Sequence, residues 1–134
     1  MFTDTHTHLY VEAFDEDRDA VIARAREAGV THFFLPAIDS TYTARMLELQ
    51  SRYPEAVYLM CGLHPTHVKD HWREELEHVQ RELKTGRYHA VGEIGIDLYW
   101  DQSRLQEQRE AFRIQIRWAK EKGLTIVIHC REAF

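Results

Sequence analysis

The chain opens Met1-Phe2-Thr3-Asp4-Thr5-His6-Thr7-His8, and its last four residues decide between two folds. Phe2–His6 reads as a short strand. A doubly wound nucleotide-binding sheet would follow its first strand with a glycine-rich turn. Here that place holds Thr5-His6-Thr7-His8. Residues two apart on a strand face the same side, so His6 and His8 share a face. They either bind one metal, with Asp4 orienting an imidazole, or lie solvated in a loop.

Outward from this segment, apolar blocks alternate with amphipathic ones. The spacing predicts helices over Asp15–Ala28, Asp39–Arg52, Asp70–Thr85 and Asp101–Lys122. On the last, Leu105, Phe112, Ile116 and Ala119 mark the inner face. Strands are predicted over Thr31–Ala37, Val57–Leu63, Ala90–Ile94 and Thr125–His129. Strands joined by helices run parallel, and apolar runs without alternation suit strands covered on both faces.

Ligand-type side chains stand at one strand end after another: His8, Asp39, His64, Glu93 and His129. Barrel enzymes assemble their sites there. The expected fold is α/β, a (β/α) TIM-type barrel truncated to five strands and four helices. A full barrel takes about 250 residues, so residues 1–134 read as the N-terminal part of one barrel domain. Open edges at strands one and five predict self-association.

Hydrophobic residues make up 44% of the 134 and charged residues 29%, as in a globular domain. No apolar run spans a bilayer and no signal peptide is evident, so no membrane role and a cytoplasmic location are expected. Cys61 and Cys130 form no CxxC pair and read as free thiols, with Cys130 packed. A net charge of −5 argues against a broad basic nucleic-acid face.

Glu93, in Gly92-Glu93-Ile94-Gly95-Ile96-Asp97, is a carboxylate in an apolar strand. It needs cations or hydrogen-bond donors, or an arginine partner. His129 ends a core strand, as a ligand or as a histidine bonded to backbone. His64, in Gly62-Leu63-His64-Pro65, either contacts substrate phosphate or a metal-bound water, or braces its loop. His71 and His78 are expected to be solvated. Trp100 either stacks on a base or fills a helix–loop interface, the second being expected. Together, His6, His8, Glu93 and His129 suggest a hydrolase with two divalent ions about 3.5–4 Å apart. Imidazole and carboxylate donors suit Zn, Mn or Co, and Mg where waters complete the shell, without choosing among them.

These motifs resemble a known family. Met1–Leu9, Cys61–Pro65, Val91–Asp97, Gln108–Phe112 and Val127–Ala133 match TatD-type deoxyribonucleases, in order and with the family's spacing. The resemblance implies a barrel of the metallo-dependent hydrolase type that hydrolyses DNA phosphodiester bonds with two divalent metals. By carry-over, His6 and His8 hold the first metal, Glu93 bridges both and His129 holds the second. Glu93 and His64 are the implied catalytic residues. His64 and Arg131 are implied to face substrate, while Asp4 and Asp97 support the ligands. The family also supplies a histidine and an aspartate from later strands, so this chain alone is expected to be a poor nuclease. The alternatives are a hydrolase of another amide, ester or phosphoester, and a non-catalytic metal- or partner-binding half-barrel.

Overall fold

Val57–Cys61 and Ala90–Asp97 carry almost no polar alternation, and both become strands with their backbones sealed from water. The computed structural model describes residues 1–134. Its strands are β1 (Phe2–Asp4), β2 (Val30–Leu35), β3 (Val57–Cys61), β4 (Ala90–Asp97) and β5 (Thr125–Arg131). Helices α1 (Arg18–Glu27), α2 (Thr43–Arg52), α3 (Trp72–Leu83) and α4 (Leu105–Lys122) alternate with them. All neighbouring strands are parallel, in the order β1-β2-β3-β4-β5. Each strand lies beside its predecessor. With right-handed crossovers, that order sets every helix on one side of the sheet. A doubly wound sheet would instead reverse its order at a switch point. The result is half of a (β/α) barrel.

The core lies between sheet and helices. Leu35, Leu59, Val91 and Ile94 of the sheet are fully buried against Met46, Leu49, Leu76, Val79 and Trp118 of the helices. At the sheet's two edges the burial fails: Phe2 is 66% exposed and Ile128 54%. No helix is long and apolar enough to cross a membrane.

Gly95 sets how closely β4 and β5 approach. Its φ is +147°, and a Cβ there would collide with the carbonyl oxygen of His129. Only glycine fits that conformation and that contact.

Several boundaries and environments differ from the sequence expectations. β1 stops at Asp4 rather than His6, so His6 joins His8 in the irregular segment beyond the strand. β4 runs on to Asp97 and β5 to Arg131. The buried face of α4 is Gln108, Ala111, Gln115, Trp118 and Ala119, with Phe112 and Ile116 only half-buried. Cys130 is exposed on the edge strand rather than packed; both cysteines are free. His78 is half-buried and bonded to the Thr43 hydroxyl at 2.8 Å rather than solvated. Trp100 is 72% exposed and fills no interface.

Candidate metal centre

Glu93 occupies a kink in β4, where the register with β5 shifts between Gly92 and Ile94. Such a bulge re-aims a side chain. The kink is also held from the segment just after β2: the Ala37 N–H donates to Gly92 O (2.9 Å) and the Glu93 N–H donates to Ala37 O (3.3 Å). The side chain is buried, and its two oxygens face different imidazoles. Oε2 lies 3.2 Å from His6 Nε2 and 3.4 Å from His8 Nε2. Oε1 lies 3.0 Å from His129 Nδ1 and 3.6 Å from His64 Nε2.

Neighbouring hydrogen bonds favour particular nitrogens as the ones that would offer lone pairs to a cation. The single Tyr10 hydroxyl proton goes to Pro36 O at 2.5 Å, because a carbonyl only accepts. Tyr10 Oη therefore accepts from His8 Nδ1 (3.0 Å), and the lone pair of His8 stands at Nε2, towards Glu93. His129 Nε2 faces Asp97 Oδ2 at the shorter distance, 2.7 Å, and donates to it; with a cation between Nδ1 and Glu93, Nδ1 would be its ligand nitrogen. His64 is opposite in kind. Its Nδ1 accepts the backbone N–H of Thr66 (3.2 Å), so a neutral ring carries its proton on Nε2. His64 thus points an N–H donor into the site, although its position beside Glu93 and His129 resembles that of a ligand.

Burial alone would raise the carboxyl pKa of Glu93. The facing imidazoles of His64, His8 and His6 outweigh it and hold the group well below the ordinary carboxylate range. Asp97 behaves likewise: burial raises its pKa, but the His129 hydrogen bond and the Tyr99 N–H lower it further. Both acids are therefore anions near neutrality. Burial, then the charge of Glu93, pushes the Tyr10 hydroxyl far up, so it stays a neutral donor.

Helix α4 positions two parts of the site through buried amides. Gln108 accepts from the Asp97 N–H (2.8 Å) and donates to Asp97 O (3.0 Å). Gln115 accepts from the Leu63 N–H (2.8 Å), one residue before His64. The loop after His8 is clamped from outside the barrel. Arg18 donates to the carbonyls of Leu9 (2.6 Å) and Val11 (2.8 Å), Arg45 reaches that of Tyr10 (3.2 Å), and both arginines meet Asp15. A broad cavity lies among these arginines, but their guanidinium groups are committed to loop carbonyls and aspartates, and the ligand-type residues are elsewhere.

Every sequence-predicted residue is thus located. His6, His8, His64, Glu93 and His129 converge. Asp97 touches His129. Asp4 accepts the backbone N–H of His6 (3.1 Å) and orients the chain rather than the ring. Arg131 stands outside the cluster, over the Tyr99 ring. Asp39 caps the turn before α2 by accepting the Thr41 N–H. Sequence reasoning missed Tyr10, Gln108 and Gln115. The glutamines' placement at helical spacing on an otherwise apolar face was the available signal.

The donor set fits divalent ions. His6, His8 and Glu93 offer ligand atoms within 4.8 Å of one another, and Glu93 shares a second such group with His64 and His129. A model of the TatD-related DNase family matches residues 3–134. The chain belongs to that family. Among relatives of this TatD-family chain, the metal-dependent hydrolase YabD of Bacillus subtilis is 36% identical over 133 residues. The alignment covers 99% of this chain and 52% of YabD. The 3'-5' ssDNA/RNA exonuclease TatD of Erwinia tasmaniensis is 32% identical, over 97% of this chain and 50% of its own length. The crystal structure of YjjV, a TatD homologue of Escherichia coli, superposes with a TM-score of 0.88 at 34% identity, covering 98% of this chain and 51% of that one. The TatD-family chain therefore spans about half the length of the relatives it matches.

Proposed function

We propose that this chain forms the first half of the active site of a metal-dependent phosphodiesterase acting on DNA, within a single barrel domain. One observation carries the reading: a buried, ionised Glu93 presents separate oxygens to separate imidazoles. That arrangement suits a carboxylate that bridges two ions. His6 Nε2, His8 Nε2 and Glu93 Oε2 would hold the first, and His129 Nδ1 with Glu93 Oε1 the second. Divalent ions of Mg, Mn or Zn type, held by these residues, would supply a water of lowered pKa and offset charge building on a phosphoryl group. The chain's own residues do the rest. Asp97 keeps His129 in its ligand tautomer, Tyr10 does the same for His8, and His64 offers Nε2–H to a phosphoryl oxygen. Relatives named as ssDNA/RNA exonucleases support the choice of nucleic acid. The free thiols fit a reducing compartment, the cytoplasm.

The donor count separates the two ions. The first position has three protein ligands, the number common at catalytic zinc, while the second has two. Equilibrium dialysis against Mn or Zn is expected to give one tightly held ion per chain and one weaker, with both lost in Glu93→Ala. Slow, metal-dependent cleavage of single-stranded DNA is expected, and none from Glu93→Ala. Metal-dependent turnover of an ester or amide with DNA untouched would overturn the substrate, and no metal binding would overturn the site. The same reading includes pairing with a second copy through the edges at β1 and β5, where Phe2 and Ile128 are exposed. A monodisperse monomer in light scattering would refute that part.

A further inference from the structure

Large aromatic side chains on a surface lose the free energy that burial would give them, so an exposed, ordered group of them calls for a partner. Tyr99 is 52% exposed and Trp100 72%, side by side on the β4–α4 loop. Their ring centroids are 4.8 Å apart, edge to face. Arg131, at the end of β5, sets its guanidinium carbon 3.7 Å from the Tyr99 ring centroid and 5.8 Å from that of Trp100. The group is fastened from beneath. The Tyr99 N–H donates to Asp97 Oδ1 (2.9 Å), and the Leu98 N–H donates to Arg131 O (3.0 Å).

This cluster is tied to the metal centre by covalent and hydrogen-bonded neighbours. Asp97 binds the Tyr99 backbone with one carboxylate oxygen and His129 with the other. Arg131 pairs with Asp97 in the β4–β5 register and lies two residues beyond His129 on the same strand. At roughly 3.3 Å per residue, their Cα atoms are about 7 Å apart.

We propose that Tyr99, Trp100 and Arg131 form a nucleobase-stacking site for single-stranded nucleic acid at the rim of the metal centre. The inference rests on the phosphodiesterase reading above and adds what grips the substrate beside the scissile group. An indole face accepts any base, and a planar guanidinium both stacks and pairs with phosphate. Bases inside a duplex have no free face, so the site selects unpaired strands. A net charge of −5 leaves little general attraction for a polyanion. Stacking therefore contributes much of the grip, and the salt dependence is shallow because few phosphates are neutralised.

Fluorescence anisotropy in Mn²⁺, in the cold, tests this with two labelled single strands: an oligodeoxythymidylate and an abasic phosphodiester of equal length and charge. The parent chain is expected to bind the base-bearing strand on the order of 10-fold more tightly than the abasic one. Trp100→Ala is expected to abolish most of that preference and to leave abasic affinity intact. The exposure of Trp100 keeps this variant folded. Trp72 and Trp118 are buried, so quenching of indole emission by the thymidylate should vanish in Trp100→Phe. Equal affinity of the parent for both strands overturns the stacking site and leaves the nucleic-acid reading standing. An undiminished preference in Trp100→Ala overturns the placement at this loop. Binding of neither strand overturns both readings.

Discussion

Asp97 accepts the Nε2 proton of His129 at 2.7 Å, and the same imidazole turns Nδ1 to Glu93 at 3.0 Å. One buried carboxylate thus decides which nitrogen of a strand-end histidine faces the site. Asp97→Asn keeps the shape but has one acceptor oxygen for two donors, so its NH2 must face either the His129 Nε2–H or the Tyr99 N–H. Affinity for the more weakly held ion should fall about 10–100-fold, as read by calorimetric titration with Mn or Zn. An unchanged isotherm would refute the role of Asp97.

The buried glutamines of α4 make a second test. Gln108→Leu leaves the Asp97 N–H and carbonyl without partners, and Gln115→Leu does the same to the Leu63 N–H. An orphaned buried backbone group costs about 1–3 kcal/mol. Each variant should lose that much in urea unfolding, despite being the more hydrophobic choice.

Gly95→Ala is expected to cost more than about 1 kcal/mol, since the backbone conformation and the His129 carbonyl both exclude a Cβ. Thermal melts followed by circular dichroism measure it. A neutral substitution would mean that β4 and β5 lie farther apart.

The loop clamp predicts an acid limb. Hydrogen bonds from Arg45 and Arg18 hold the Asp15 carboxyl down at about 2, from an ordinary 3.8. A carboxyl depressed on folding stabilises above its unfolded value, and that contribution disappears as pH falls through the folded value. Stability should decline as pH drops from about 3.8 towards about 2, and Asp15→Asn should flatten part of that slope. Glu93 and Asp97, lowered too, add to the same limb. Unfolding midpoints across acidic buffers provide the reading.

The alternation of strands and helices was legible because buried parallel strands and amphipathic helices leave different periodicities. The cluster was legible because ligand-type residues recur at strand ends. Tyr10 was not: a tyrosine two residues past a histidine looks like packing until the fold brings Pro36 O to its hydroxyl. The inner face of α4 was legible only in part: Ala119, Phe112 and Ile116 pack on the core, but Gln108 and Gln115 are polar by composition and are buried by pairing with the main chain. Trp100 misled in the other direction, since aromatic character alone predicts burial. β1 ends two residues before His6, because Asp4 and the arginine clamp hold the following segment in place without strand pairing.

Through Gln108 and Gln115, a single rod grips the main chain on both flanks of Glu93. A small roll of α4 would swing Leu63 with its neighbour His64, and Asp97 with its partner His129, in concert. The hydrogen-bond donor His64 and the ion holder His129 are thus referenced to one element, which keeps their mutual spacing.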